Sequence, residues 1–205
     1  MHVDLEPPYL VVKEGVTEED FYRLADEDSN WEYLDGRIVV HSPASFRHED
    51  LFSFLIAVLR AYSDETRLGK VLGSRFPMRL DEHWSPEPDL MVIRSERVPL
   101  IGKQRLEGPA DLVVEIVSEG KRHLIFREKL PRYREAAIPE VWVVDPYRSE
   151  ILVETATPAG TKPRTVTSGR LDSTVLPGFW LQVEWLWQET LPSALRCAQE
   201  ILASR

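Results

Sequence analysis

One glutamate stands inside an almost unbroken apolar run, Asp111-Leu112-Val113-Val114-Glu115-Ile116-Val117. Apolar residues at consecutive rather than alternate positions predict a strand covered on both faces. A sheet sandwiched between helices provides that environment. An ionised carboxylate inside such a strand is costly unless it is paired, protonated or bound to a cation. Glu115 is therefore either buried at a cost with a purpose, or compensated by something far away in the chain. Two further runs have the same character: Asp89-Leu90-Met91-Val92-Ile93, opened by Pro86-Glu87-Pro88, and Val141-Trp142-Val143-Val144-Asp145-Pro146.

Around these strands the chain reads as a mixed α/β arrangement. Thr17 is an N-cap before the acidic turn Glu18-Glu19-Asp20, predicting a short helix over 18–25 with Phe21 and Leu24 on its inner face. Asp35-Gly36 between two apolar-rich runs, 31–34 and 37–40, predicts a β-hairpin. Leu51, Leu55, Val58, Leu59 and Tyr62 recur at helical spacing, predicting a long helix over 46–63. Residues 71–80 read as a strand, 94–108 as a polar loop, and 121–137 as a helix disturbed by Pro131. A hairpin over 151–157 and 165–167, a strand over 181–187 and a helix over 194–203 complete the reading. All of it fits one domain over 1–205, with an acidic N-terminal segment (1–28) and a C-terminal helical extension (188–205).

Several classes fall away. The single cysteine, Cys197, excludes an intrachain disulfide and a cysteine-based zinc site. Met1-His2-Val3-Asp4-Leu5-Glu6 lacks the basic and apolar regions of a secretory signal, and no apolar run approaches the roughly 18 residues of a membrane span. The expectation is a cytoplasmic protein with no membrane partner. The net charge of -9 argues against a purely electrostatic nucleic-acid binder. That surplus is local, however. Residues 1–35 hold 11 acids and two bases, while 36–205 hold 23 of each.

The candidate chemistry lies in the balanced part. If the Asp89 and Glu115 strands are neighbours, their carboxylates share one pocket. Two oxygen-donor acids with room for water suit a hard divalent cation such as Mg²⁺. Between Lys121 and Arg134 there are six basic residues and only one acid, Glu128, a stripe that reads either as a phosphate-facing surface or as a solvated helix face. Lys129 belongs to it. His48, near the start of the long helix, and Glu32, between Trp31 and Tyr33, are further candidates. His41 and His83 show no usable pattern.

The residues Trp31-Glu32-Tyr33-Leu34-Asp35-Gly36, Ser42-Pro43 with His48, Pro88-Asp89-Leu90, Asp111 to Ser118, Glu128-Lys129-Leu130 with Tyr133, Ile138 to Pro146, and Leu176-Pro177-Gly178-Phe179 form an ordered series. It resembles the PD-(D/E)XK nuclease superfamily and, within it, the large bacterial family of restriction-endonuclease-like proteins, from about Phe21 to Trp187. The resemblance implies a restriction-endonuclease-like core: a mixed central β-sheet flanked by helices, with an N-terminal helix and β-hairpin. It implies a DNA endonuclease dependent on Mg²⁺, with Mn²⁺ as a substitute, and a homodimer. Asp89, Glu115 and the backbone carbonyl of Ile116 would hold the metal. Lys129 would offset phosphate charge, with Glu32 and His48 as accessory catalytic groups. Two positions depart from the pattern. The superfamily lysine position, two after the glutamate, is Val117, and the family's helix aspartate position is Ile125. They keep a second reading open, in which the same scaffold binds nucleic acid or a protein partner without cutting it.

Overall fold

The computed structural model describes residues 10–25, 29–41, 43–73 and 75–204. Of the acidic N-terminal segment, residues 1–9 and 26–28 thus lie outside the described residues, as does Ser42. The strands are β1 (Leu10–Glu14), β2 (Trp31–Leu34), β3 (Arg37–His41), β4 (Gly69–Gly73), β5 (Met78–Arg79), β6 (Trp84–Ser85), β7 (Leu90–Arg94), β8 (Leu106–Glu107), β9 (Leu112–Ile116), β10 (Glu140–Asp145), β11 (Glu150–Thr157), β12 (Gly160–Val166), β13 (Arg170–Asp172) and β14 (Trp180–Gln182). The α-helices are α1 (Glu18–Leu24), α2 (Phe46–Thr66), α3 (Leu130–Glu135) and α4 (Ala194–Ala203).

The apolar runs form the centre of a six-stranded mixed sheet, ordered β12-β11-β10-β9-β7-β4. β9 and β10 pair in parallel and every other neighbour is antiparallel. Parallel neighbours need a crossover, and the helical segment between Ile116 and Glu140 supplies it. One face of the sheet carries Leu90, Val92, Leu112, Val114 and Ile116 against the apolar stripe of α2 and against α4. The other face carries Met91, Ile93, Val113, Val117 and Val143 against the crossover. This is the helix-covered mixed sheet expected from the consecutive apolar positions.

Local signals decide most of the elements. Thr17 and Ser45 cap α1 and α2 by accepting from Asp20 N and His48 N. Asp35 and Gly36 have φ of 54° and 71°, the pair of positive values that a type I′ hairpin turn requires. The resulting hairpin joins β1 and β6 in a small second sheet, ordered β1-β3-β2-β6.

Four expectations need correction. Leu24 is exposed rather than internal, because the seven-residue α1 buries only Phe21. The strand expected over 71–80 is split into β4 and β5. Arg75 takes a left-handed φ of 73°, and Pro77 lacks an N–H for a ladder. The loop over 94–108 contains a 3₁₀ helix, Ser95–Leu100, and the short strand β8. Of 181–187 only the start is strand. Val183–Trp187 winds into a 3₁₀ turn that buries Val183 and Leu186, three residues apart and so on one side of such a helix. The C-terminal helix buries Cys197, Ala198 and Ile201, and Cys197 and Ile201 enter the main core beside α2. Phe179, Trp180, Leu181 and Leu186 are also consumed by that core and present no free apolar interface.

Gly69 shows how tightly β4 is seated. A β-carbon there would fall 1.9 Å from the Ile93 carbonyl oxygen. Gly69→Ala is expected to cost about 1–3 kcal/mol or more, as overpacking does, read from denaturant unfolding. An unchanged midpoint would contradict this seating.

Candidate functional site

Asp89 immediately precedes β7. The β7–β9 register pairs Leu90 with Val114, and one further step places Asp89 opposite Glu115. The Asp89 carboxylate turns across the gap, where Oδ2 accepts the amide N–H of Ile116 at 2.7 Å. Both acids are almost wholly buried, at 3% and 1% exposure. The two strands are neighbours, as the sequence reading required.

Lys129 meets Glu115 from the crossover, its Nζ 2.6 Å from Oε1. A local change of helix type delivers it. Residues Leu124–Lys129 form a π turn, in which the Leu130 N–H reaches back to the Ile125 carbonyl, before the helix resumes as α3 with Pro131 in its first turn. π turns concentrate at functional sites because they re-aim side chains. The departures now have structural positions. Val117 and Ile125 both pack in the core beneath the crossover, and the ammonium arrives instead from a residue 14 positions after Glu115. Tyr133, one turn beyond Lys129 and hence on the same helix side, donates its hydroxyl to Glu115 Oε1 at 2.6 Å.

The small sheet closes the cluster from the other side. Glu32 faces inward from β2 and lies 3.1 Å from Lys129 Nζ. His41, on β3, brings Nε2 to 2.6 Å from Glu32 Oε1, although off the axis of a hydrogen bond. Lys129 also approaches the Glu87 carbonyl at 3.4 Å. His48, at the third position of α2, stands apart from Glu115 and faces Asp89, with Nε2 3.3 Å from Oδ1. The structure thus brings together Asp89, Glu115, Lys129, Glu32, His48 and Ile116. It adds Tyr133, His41, Glu87 and Lys121, the last with Nζ 4.0 Å from Asp89 Oδ1.

Electrostatics follow from burial and counting. Three buried carboxylates, Glu32, Asp89 and Glu115, share one fully buried ammonium. Burial pushes every carboxyl up, but for Glu32 the attraction of Lys129 and His41 outweighs it and holds the group well below the usual range. Asp89 is likewise lowered: burial is overcome by His48, Lys121 and the Ile116 N–H. Glu115 goes the other way, to about 7. Burial and the negative charges of Asp89 and Glu32 outweigh Lys129. Burial lowers Lys129, yet Glu115 and Glu32 more than restore it, so it stays charged. Burial and then Glu115 push the Tyr133 hydroxyl well above its ordinary value, which keeps it a donor.

Glu87 is the least compensated acid. Burial, then repulsion by Glu32, raises it from 4.5 to about 8. A raised carboxyl binds its proton more tightly in the folded state. Its contribution is therefore full below pH 4.5 and is lost as the pH climbs through about 8. Glu87→Gln is expected to raise the thermal midpoint at about pH 9 and leave it nearly unchanged at about pH 5. Equal shifts at both would contradict this environment.

Four of the six cations of the basic stripe are paired with acids of the fold. Lys129 is interior. Arg122 pairs with Asp145, Arg132 with Asp81, and Arg134 with the buried Glu154. Not every buried acid is part of the cluster. Glu140 accepts from Trp142 Nε1, the Ser173 hydroxyl and the amides of Thr174 and Val175, anchoring the loop before β14 to the sheet.

Asp89 opens onto a cavity of about 580 Å³, lined in part by His48, Ser118 and Lys121. The donors available for a metal are oxygens, the Asp89 and Glu115 carboxylates and main-chain carbonyls. Among the described residues, no three His, Cys, Asp or Glu side chains gather into a complete metal cage. A hard divalent cation needs only one or two carboxylates and keeps several waters; Asp89 lines the cavity, while Glu115 Oε1 is held by Lys129 and Tyr133.

The Uma2 family model, described as "Putative restriction endonuclease", matches residues 18–184. Among solved structures the chain is similar to "a putative nuclease belonging to DUF820" from Anabaena variabilis ATCC 29413. The identity is 16% and the TM-score 0.70, with 84% of this chain and 97% of that chain covered. At that identity the likeness shows the fold. No curated protein matches the chain. Among the described residues, no helix is long and apolar enough to cross a membrane.

Proposed function

Because the chain belongs to the Uma2 family, we propose that it is a nuclease that hydrolyses phosphodiester bonds in DNA with the help of a divalent cation. The observation that carries the reading is the meeting of Asp89, Glu115 and Lys129. These residues come from two strands and a crossover helix and converge at one end of the sheet. Asp89, Glu115 and the Ile116 carbonyl would hold Mg²⁺ or Mn²⁺, which supplies an activated water and neutralises phosphate charge.

The protein's own groups have separable tasks. The Ile116 N–H fixes Asp89 Oδ2 and leaves Oδ1 to His48 and Lys121. Lys129 and Tyr133 fix Glu115, and Glu32 fixes Lys129. Preorganised charge of this kind costs no reorganisation when substrate charge develops. A single domain over 1–205 acting in the cytoplasm, with two copies for the two strands of a duplex, completes the reading.

The test is nicking of supercoiled plasmid. Cleavage is expected with Mg²⁺ or Mn²⁺ and is abolished by EDTA. Cleavage undiminished in EDTA would overturn the metal dependence. A binding protein that does not cut is favoured by one observation: Glu115 is already engaged by Lys129 and Tyr133 and does not line the cavity. That reading predicts DNA binding in EDTA and no cleavage with any divalent ion.

A further inference from the structure

The cavity beside Asp89 is lined by groups other than the acids and Lys129. His48 is 6% exposed and lines this cavity; its ring nitrogens lie 3.3 Å from Asp89 Oδ1 and 3.4 Å from Glu49 Oε1, neither in hydrogen-bond geometry. A buried polar group is rarely left so. It sits in the first turn of α2, where Ser45 already accepts from the His48 and Glu49 amides and the helix dipole favours an anion. Lys121 enters from the turn Ser118-Glu119-Gly120-Lys121, closed by a Lys121 N–H bond to the Ser118 carbonyl at 3.2 Å. Arg75 lines the same cavity. At its rim stands Tyr147, 55% exposed, in the turn after β10, where its N–H is tied to Asp145. The acids there are Asp89 and, in exposed positions, Glu49 and Glu119, whose repulsion is screened by water.

The geometry points to a subsite for one nucleotide of the DNA strand, its phosphate held by His48, Lys121 and the start of α2 and its base laid on Tyr147. This rests on the nuclease reading for the identity of the ligand. The turn Ser118-Glu119-Gly120-Lys121 delivers a second cation beside Asp89. A base can lie on Tyr147 only if it is out of the duplex stack. The subsite therefore selects a strand end or an unpaired nucleotide.

The probe is a short fluorescein-labelled single-stranded DNA, titrated in EDTA and followed by fluorescence anisotropy. Tyr147→Ala is expected to weaken binding at least about fivefold, as loss of one stacking platform does. Lys121→Gln should flatten the slope of log affinity against log salt by about 0.7, the share of one phosphate on a single strand. Lys121→Arg should restore the slope. If both variants bind like the wild type, the subsite is overturned, while plasmid nicking still decides the nuclease reading. If the wild type never cuts but the variants lose affinity, the subsite stands and the nuclease reading falls. A wild type that does not bind the strand overturns the subsite.

Discussion

Replacing Lys129 by methionine is expected to cost about 3–5 kcal/mol, the effect of removing one partner from a buried charge pair. The side chain is 2% exposed and its ammonium is the common partner of Glu115 and Glu32. Methionine preserves much of the volume, so the loss reports charge rather than packing. A domain of this size has only about 5–15 kcal/mol in total, so the variant lies near the margin of folding at neutral pH. Two further results separate this account from a general packing defect. The loss should be smaller at about pH 5, because Glu115, raised toward 7 even with Lys129 present, is then protonated. Adding Glu115→Gln to Lys129→Met should recover part of the stability, giving a favourable coupling in a double-mutant cycle. A loss below about 1 kcal/mol would place the ammonium outside the cluster.

Asp89→Asn is expected to behave oppositely: a severe loss of cleavage on a nearly intact fold. The amide oxygen can still accept the Ile116 N–H that Oδ2 accepts now. A hydrogen bond to a charged acceptor contributes about 1.5–3 kcal/mol, and a neutral acceptor retains part of that. The carboxylate charge, by contrast, has no substitute. Plasmid nicking in Mg²⁺ should fall at least about 100-fold, at or beyond the effect of losing an outer partner of a metal ligand. Wild-type cleavage by folded Asp89→Asn protein would move the reacting centre away from the β7–β9 end.

Much of this arrangement was legible in the sequence because local chemistry decided it. Asp35-Gly36 dictates its hairpin, Thr17 dictates a helix start, and the consecutive apolar runs dictate a doubly covered sheet. Asp89 and Glu115 were legible because an acid is conspicuous among valines. The partners of those acids were not. Glu32 and Lys129 are 97 residues apart, and nothing local to either announces the other. His41 carried no pattern because its meaning comes only from the β2–β3 register. Tyr133 had a usable signal, its four-residue spacing from Lys129. Glu87 had a weaker one, its place between two prolines just before Asp89. The basic stripe stayed ambiguous in the sequence because proximity on a helix does not show which cations already have partners. The strand expected over 71–80 failed where a single left-handed residue, Arg75, outweighed the apolar pattern.

The outer strand of the central sheet has a consequence for assembly. β12 lies at one border of the sheet, is largely exposed, and carries Lys162, Pro163 and Arg164 in succession. Pro163 offers no N–H, and the two cations repel a matching strand from another copy. This border is thus guarded against runaway edge-to-edge association. Pairing of a second copy along β12 is therefore disfavoured.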